Sequence, residues 1–188
     1  SYRIPLIVRW PAGIDEPGRV VEQFTENVDI APTVLDLVGA ALPDFCDGAS
    51  LAPFLGAPPD GAEDRTPAGW RDAVHFEFDF RDPTSTLIED VFGLRQDQCA
   101  ISVLRDRDSK YVQFCSDWPS LYFDLADDPG ELRDLTGDPD RAAELFGAAR
   151  RLLALRMEHT DPRLADTRAT PKGTVHRADP PRPGPVRR

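Results

Sequence analysis

The chain has 188 residues, 40% of them hydrophobic and 29% charged, as expected of a globular protein with one core or little more. Its net charge of −11 argues against nucleic-acid and anionic-membrane partners, since both bind clustered positive charge. No apolar run has the length of a membrane span and the first residues lack the layout of a signal peptide, so we expect no membrane partner and a cytoplasmic location.

The first third of the chain has the pattern of one edge of an α/β layer. Residues 4–10 form a nearly continuous apolar run, which is typical of a strand buried on both faces of a parallel sheet. Such a strand needs neighbouring strands, and the chain opens at Ser1 without a lead-in, so we expect the C-terminal piece of a longer protein. Residues 26–39 predict a helix with Asp29 as N-cap and Gly39 just past its end. Its apolar residues follow helical spacing: Ile30, Val34, Leu37 and Val38.

The middle of the chain predicts a small antiparallel sheet. A linker rich in Pro and Gly, residues 56–69, precedes it. Strict alternation in residues 74–80 is typical of a half-buried strand. One face of that strand is apolar: Val74, Phe76, Phe78 and Phe80. Three further strands are expected at 99–104, 110–114 and 121–125, of which the first two form a hairpin.

A long amphipathic helix is expected over residues 138–158, with Asp138 as N-cap and Pro139 in its first turn. Its predicted apolar stripe is Ala142, Leu145, Phe146, Ala149, Leu152, Leu153 and Met157. Residues 161–188 are rich in Pro and Arg without periodicity and predict an extended or disordered tail. The predicted parts are therefore the α/β edge, the sheet-and-helix subdomain and the tail, at residues 1–69, 70–160 and 161–188.

A dense group of carboxylates lies between the last predicted strand and this helix, in the turn from Asp127 to Glu131. No His or Cys stands beside them. The carboxylates either hold a metal ion or shape the turn and cap the helix that follows, as Asp, Pro and Gly do in ordinary turns.

Five segments stand in the order found at the C-terminal end of sulfatases: YRIPLIVRWPAG, FTENVDIAPTVLDLVG, DGASLAPFL, KYVQF and LYFDLADDPGELRDL. From Ser1 to about Arg163 the chain thus resembles the alkaline phosphatase-like superfamily. Two segments, WRDAVHFEFDFRD and QDQCAISVLRDRDSKYVQF, resemble its phosphonate monoester hydrolases in particular. The resemblance implies an α/β fold: a C-terminal fragment of the alkaline phosphatase-like α/β sandwich, and a subdomain of about four antiparallel strands packed on one long helix.

The resemblance also implies a chemistry for the intact enzyme, namely hydrolysis of a small anionic sulfate, phosphate or phosphonate ester. In this family the nucleophile is a formylglycine made from the cysteine of a C-x-P-x-R motif, and a divalent cation of the Ca, Mn or Mg class stabilises the developing charge. Neither Cys46, Cys99 nor Cys115 lies in such a motif, and their odd number and wide spacing predict reduced thiols. We therefore expect the nucleophile and metal ligands upstream, no catalytic or metal-binding residue in this chain, and no hydrolase activity from the chain alone.

Four residues on and just after the first predicted strand of the sheet combine a base, acids and a cation: His75, Glu77, Asp79 and Arg81. They are candidate contributors to a pocket for a charged ester. A solvated or inter-domain strand face explains the same pattern by alternation alone. For the acidic turn, the resemblance favours a scaffold role, since in the family this segment joins the last strand to its packing helix. Asp134 stands where the family usually has Asn.

Two expectations concern partners. In the phosphonate monoester hydrolase-like branch, C-terminal arms take part in oligomers, so the resemblance implies a homo-oligomer formed through the basic tail of this acidic chain. The alternative to an enzyme part is a free-standing interaction domain that kept the subdomain and lost the chemistry. An upstream C-x-P-x-R motif in the gene would distinguish the first reading from the second.

Overall fold

The computed structural model describes residues 4–43, 46–57, 65–82 and 84–159, together with the backbone of two short strands at 167–170 and 173–176. The chain divides into two compact units, Ser1–Val74 and His75–Arg188. Within the described part, no helix is long and apolar enough to cross a membrane.

The first unit is helical where the sequence predicts a helix. A 3-10 turn at Asn27–Asp29 leads into helix α1, Ile30–Leu37. The chain leaves α1 at Gly39 with φ at 68°, and the N–H of Gly39 donates to the carbonyl of Asp36 at 3.0 Å. Glycine suits this position because left-handed backbone is unstrained without a Cβ. A short second helix, α2, spans Ala52–Leu55.

The predicted central strand at residues 4–10 is wrong for this structure. The segment is irregular and exposed, and Ile7 keeps 88% of its surface in solvent. A strand needs partner backbone for its N–H and C=O groups. No strand in the described part of the chain pairs with this segment, so its apolar composition does not lead to a sheet.

Helix α1 buries the face opposite to its apolar stripe. Three apolar residues of the stripe are exposed: Ile30, Val34 and Val38. The helix buries Pro32 and Thr33 instead. The Thr33 hydroxyl donates to the carbonyl of Asp29 at 2.5 Å and accepts the N–H of Leu51 at 2.8 Å. Polar bonds to the segment before α2 therefore set which side of α1 faces inward.

The carboxylate of Asp29, which has no exposed surface, organises this buried face. Its Oδ2 accepts the N–H of Glu26 at 2.7 Å, and its Oδ1 accepts the N–H of Ala49 at 2.9 Å. The guanidinium of Arg71 donates to both carboxylate oxygens, with Nη2 at 2.6 Å from Oδ1. One side chain thus joins the start of α1, the loop before α2 and a residue 42 positions further on.

Two close contacts hold the same region. A Cβ on Gly48 would lie 2.1 Å from the carbonyl oxygen of Val28, so no larger residue fits there. Trp70 packs edge-on against Phe54, with ring centroids 4.8 Å apart, and its Nε1 donates to the carbonyl of Phe24 at 2.9 Å. The segment that carries Arg71 is thereby fixed to both helical parts of the unit.

The second unit contains the predicted four-stranded sheet, in the order β1-β2-β3-β4. The strands span Ala73–Asp79, Ala100–Asp106, Ser109–Phe114 and Leu121–Asp124. β2 and β3 pair antiparallel with Val103 opposite Val112, and β3 and β4 pair antiparallel with Tyr111 opposite Tyr122. Each strand lies within two residues of its prediction, because period-two alternation and turn residues are local signals.

Helix α3, Leu87–Phe92, lies between β1 and β2 in the chain. Helix α4, Ala142–His159, packs on β2 and β3. A 3-10 turn at Pro139–Arg141 precedes it, and the carboxylate of Asp138 accepts the N–H of Asp140 at 3.0 Å, so the predicted N-cap is confirmed. The predicted stripe is buried on one edge only, since Leu152 is 3% exposed. Four members of the stripe lie in solvent: Ala142, Phe146, Leu153 and Met157.

The tail contains a hairpin that composition did not predict. Strands β5, Thr167–Thr170, and β6, Gly173–His176, pair antiparallel with Arg168 opposite Val175. Thr and Val favour extended pairing, which outweighs the Pro-rich composition of the surrounding tail over these short stretches. The rest of the predicted tail and the linker residues 58–64 lie outside the described residues.

Replacing Asp29 with Asn should lower the free energy of unfolding by about 3 kcal/mol, because Arg71 then loses its main counter-charge inside the unit. Urea unfolding of the full-length protein, followed by tryptophan fluorescence, measures the change. Asp47→Asn is the matched control, since Asp47 is exposed in the loop that Asp29 binds. Equal urea midpoints for Asp29→Asn and Asp47→Asn would contradict the expected stabilisation by the Asp29–Arg71 ion pair.

The same carboxylate should give the fold an acid limit. Burial raises the pKa of Asp29. Hydrogen bonds from Arg71 and from the N–H groups of Glu26 and Ala49 together lower it by more, so the net pKa lies below its ordinary value of 3.8. The stabilisation is therefore present above pH 4 and lost as the pH falls through the folded-state pKa. Stability curves of the wild type and Asp29→Asn should converge at low pH.

Candidate functional site

The structure divides the four predicted pocket residues into two groups. His75 and Glu77 lie together with Ser102 of β2, whereas Asp79 and Arg81 pair with each other beyond them. The alternation rule predicted the wrong exposure for this strand: Phe78 is 53% exposed, while the side chain of His75 is only 17% exposed. The polar face is half-buried here because α4 lies against the sheet.

His75, Glu77, Ser102 and Arg156 of α4 form what we call the His75 network. The Ser102 hydroxyl donates to Glu77 Oε1 at 3.4 Å, and His75 Nε2 lies 2.9 Å from the same hydroxyl oxygen. Which of the imidazole and the hydroxyl donates in the His75–Ser102 contact depends on the tautomer of the ring. Arg156 Nε lies 2.6 Å from Glu77 Oε1, so the carboxylate is shared between the sheet and the helix.

The His75 network differs from a nucleophile, base and acid arranged for covalent catalysis. Ser102 is 7% exposed, which leaves little room for a substrate at its hydroxyl. Its hydroxyl oxygen is also within hydrogen-bond distance of both His75 and Glu77, so two side chains hold it in place. The network instead provides polar bonds that orient α4 on the sheet.

Burial governs the ionisation of His75. Desolvation lowers the pKa of its imidazole, the nearby Glu77 carboxylate raises it, and the positive charges of Arg156 and His159 lower it. The net pKa lies below the ordinary value of 6.5, so the ring is neutral at pH 7. A neutral imidazole has one nitrogen that donates and one that accepts, and either role suits a hydrogen bond to the Ser102 hydroxyl.

Asp79 and Arg81 form an exposed ion pair at the end of β1. Arg81 Nε donates to Asp79 Oδ1 at 2.9 Å and to Oδ2 at 2.7 Å. These hydrogen bonds lower the pKa of Asp79 and raise that of Arg81. The side chain of Arg81 is 39% exposed, so its guanidinium is accessible to an anion in a way that His75 is not.

An aromatic cluster beside this pair was missed in the sequence. Phe92 belongs to helix α3, Leu87–Phe92, and its ring lies 6.5 Å from Phe80 and 5.4 Å from Trp118. The four-residue spacing of Leu87 and Val91, with Gly93 after them, is the sequence signal that would have predicted α3. In the structure Gly93 ends this helix with φ at 65°.

The acidic turn is a scaffold, as the resemblance implies. Asp128 Oδ2 accepts the N–H groups of Leu132 at 2.7 Å and Arg133 at 2.8 Å. Asp134 Oδ1 accepts the N–H of Tyr122 at 3.0 Å, which bonds the turn to β4. The carboxylates therefore hold backbone groups in place, as turn-forming Asp residues do.

The carboxylate-rich concavity at this turn is also lined by positively charged side chains. Its cavity of about 270 Å³ is lined by Asp124, Asp127, Asp128, Arg133, Asp138 and Arg141, among others. Arg141 Nη2 lies 3.1 Å from Asp124 Oδ2, and Lys110 pairs with Glu131. Across the described residues, no group of three or more His, Cys, Asp or Glu side chains is arranged to hold a metal. The divalent cation implied by the resemblance does not fit these residues.

A family described as "N-sulphoglucosamine sulphohydrolase, C-terminal" matches residues 1–158, which is most of the chain. The chain belongs to this family. Among curated relatives of this sulphohydrolase-family chain, a multifunctional alkaline phosphatase superfamily protein of Trinickia caryophylli is 39% identical over 177 residues, 94% of the chain and 33% of the relative. The N-acetylglucosamine-6-O-sulfatase of Bacteroides thetaiotaomicron is 32% identical over 147 residues, 78% of the chain and 22% of the relative.

Similar solved structures support this family assignment. The phosphonate monoester hydrolase of Agrobacterium radiobacter is 43% identical with a TM-score of 0.65, covering 85% of the chain and 30% of that protein. The phosphonate monoester hydrolase of Silicibacter pomeroyi is 36% identical with a TM-score of 0.69, covering 91% of the chain and 32% of that protein. The sulphohydrolase-family chain is therefore α/β in class and spans about a third of the length of these relatives.

The His75 network predicts opposite pKa shifts from two single substitutions. Glu77→Gln should lower the pKa of His75 further, because the carboxylate that favours the imidazolium is removed. Arg156→Gln should raise it, because a nearby positive charge is removed. NMR titration of the His75 ring in each variant measures the shifts.

Asp97→Asn is the control for these titrations, since Asp97 pairs with Arg95 away from the network. Shifts of the same sign for Glu77→Gln and Arg156→Gln would contradict the described geometry.

Proposed function

We propose that the chain is the C-terminal part of a metal-dependent enzyme that hydrolyses sulfate, phosphate or phosphonate esters. The observation that carries the proposal is the 39% identity, over 94% of the chain, to a multifunctional alkaline phosphatase superfamily protein. Likeness to two phosphonate monoester hydrolases at 43% and 36% identity supports it. The substrate is a small anionic ester, and neither nucleic acid nor membrane is a partner.

In this proposal the chemistry is divided between parts of the longer enzyme. A formylglycine nucleophile and a divalent cation of the Ca, Mn or Mg class are supplied by residues upstream of this chain. The cation offsets the charge that develops on the ester oxygens during attack. Most of the contribution of this chain is structural: the Asp29–Arg71 pair holds the first unit in shape, and the packing of α4 on the sheet holds the second.

The predicted pocket residues receive different roles. Arg81 is the proposed contributor to the pocket, with Asp79 holding its guanidinium, because this pair is exposed. A guanidinium matches the geometry of anionic ester oxygens. His75 and Glu77 are proposed as positioning residues that set α4 on the sheet, since their contacts are with Ser102 and Arg156. The cytoplasmic location remains a prediction of the sequence.

The chain expressed alone should show no turnover of aryl sulfates or phosphonate monoesters, even with added Mn²⁺, because without nucleophile and metal site the barrier stays too high. The longer gene product should hydrolyse at least one of these esters. Colorimetric assays of both proteins with aryl sulfate, phosphate and phosphonate esters measure the difference.

The control is the longer protein dialysed against a chelator, which should lose activity and recover it with Mn²⁺. Metal-dependent turnover by the chain alone would contradict the proposed division. A longer, metal-loaded protein that is inactive on all three ester classes would favour the alternative, a non-catalytic interaction domain derived from this family.

We also propose that the C-terminal arm joins copies of the enzyme into a homo-oligomer. The tail of the acidic chain, residues 161–188, contains six arginines, four of them at 177, 182, 187 and 188, and its described part is a hairpin. A basic arm has an electrostatic partner in the acidic surface of another copy. The hairpin supports a defined arm because paired backbone restricts its conformations.

Deleting residues 164–188 from the full-length protein should reduce the assembly to a smaller one, because the arm that bridges copies is removed. Light scattering measures the mass. Raised salt should act in the same direction on the intact protein, since exposed charges are screened within about 10 Å at 0.1 M salt. An unchanged mass after deletion would contradict a bridging role for the arm.

A further inference from the structure

Two arginines of the first unit converge on a single carboxylate. Arg65 Nη2 donates to Glu16 Oε2 at 2.8 Å, and Arg19 Nη1 lies 3.5 Å from the same oxygen. Glu16 Oε2 thus lies within 3.5 Å of both guanidinium groups. We call Glu16, Arg19 and Arg65 the arginine pair site, which carries a net charge of +1.

The backbone builds this site from distant segments. Gly18 has φ at 89°, so the chain turns back between Glu16 and Arg19 and brings both side chains to one side. Gln23 Nε2 donates to Thr66 Oγ1 at 2.7 Å, although the two residues are 43 positions apart. This hydrogen bond holds the residue next to Arg65 against the segment that follows Arg19. The two guanidinium groups are therefore placed by the fold rather than by chance contact of surface chains.

The site has unmet hydrogen-bonding capacity. Among the side-chain atoms that the structure describes, Nη1 of Arg19 and Nη1 of Arg65 are both buried without a hydrogen-bond partner. The Arg65 side chain is nine-tenths buried, at 10% exposure, whereas Glu16 is 64% exposed. A buried donor without an acceptor costs free energy, so the two donors are arranged for an acceptor that Glu16 alone does not supply.

We propose that the arginine pair site binds a tetrahedral oxoanion, of the sulfate or phosphate class, with Glu16 as the group that the anion displaces. The exposed Glu16 side chain turns into solvent, and the anion takes its place between the two guanidinium groups. The anion is either free in solution or carried by an organic group, and both share the same oxygen chemistry.

The chemistry of the donors selects this class of ligand. Each guanidinium presents a planar fork that matches two oxygens of one anion. An anion with three or four oxygens offers enough acceptors for both forks at once, whereas the carboxylate of Glu16 offers two oxygens. A divalent anion also offsets the charge of two arginines, whereas one carboxylate offsets one.

The proposal is independent of the proposed ester hydrolysis, because it concerns binding by residues of this chain and needs no turnover. Isothermal titration calorimetry of the full-length protein with inorganic sulfate, inorganic phosphate and phenylphosphonate, at constant ionic strength, tests it. The first two probes represent a free anion and the third an anion on an organic group. Glu16→Gln should bind the preferred probe about tenfold more tightly than wild type, because the competing negative charge is removed.

Two further variants complete the test. Arg65→Lys should weaken binding about tenfold, because it keeps the charge and loses the fork. Arg95→Lys is the matched control and should change nothing, since Arg95 pairs with the exposed Asp97 elsewhere. If Glu16→Gln binds inorganic sulfate or phosphate more tightly than phenylphosphonate, the ligand is a free anion. If it binds phenylphosphonate more tightly, the ligand is an anion carried by an organic group. Equal affinities of wild type and Glu16→Gln for all three probes would overturn the proposal, whether or not Arg65→Lys folds.

Discussion

The first unit depends on satisfying one buried carboxylate. An ionised Asp29 with no exposed surface is costly unless every oxygen is paired, and the chain pairs it with two backbone N–H groups and a guanidinium. Each of those donors sits on a different segment, so the requirement that stabilises the charge also sets the relative positions of α1, the loop before α2 and Arg71. Apolar packing in this unit comes from α2 and the residue before it, where Leu51, Phe54 and Leu55 are buried, while Ile30, Val34 and Val38 of the α1 stripe lie in solvent.

The second unit is stabilised in a different way. Its sheet has an apolar centre, where Val103 is fully buried and Tyr111, Val112 and Phe123 are almost so. Polar groups accompany this centre on the side of α4, where Ser102, Glu77 and Arg156 share bonds. Apolar burial supplies most of the stabilisation, and the polar contacts add direction, because hydrogen bonds fix an orientation that non-directional packing does not.

Much of the fold was predictable because its signals are local. Alternation in residues 74–80, the cap at Asp138 and the carboxylates of the acidic turn act on neighbours within a few positions, and the structure has each of them. The resemblance to sulfatases, read from ordered segments, predicted the family that the comparison then showed. Partners far apart in sequence were not predictable: Asp29 was expected only to cap α1, and nothing in its spacing marks Arg71.

The burial of apolar residues was the least predictable feature of the fold and of the candidate site. Residues 4–10 and the stripe of α1 have the composition of core segments, yet burial needs partner surface that the pattern of one segment does not specify. The same limit explains β1, where helix α4 covers His75 and leaves Phe78 in solvent. Alternation indicates that two faces exist and not which of them another element covers.

The lack of room at Gly48 has a consequence for how relatives of this chain diverge. The obstacle to a side chain there is the backbone of Val28 and Asp29, and main-chain atoms do not repack as side chains do. No single change at a neighbouring position relieves such a collision. A homologue with a larger residue at this position must therefore have acquired a differently shaped loop before α2, and with it another arrangement of donors around the carboxylate at position 29.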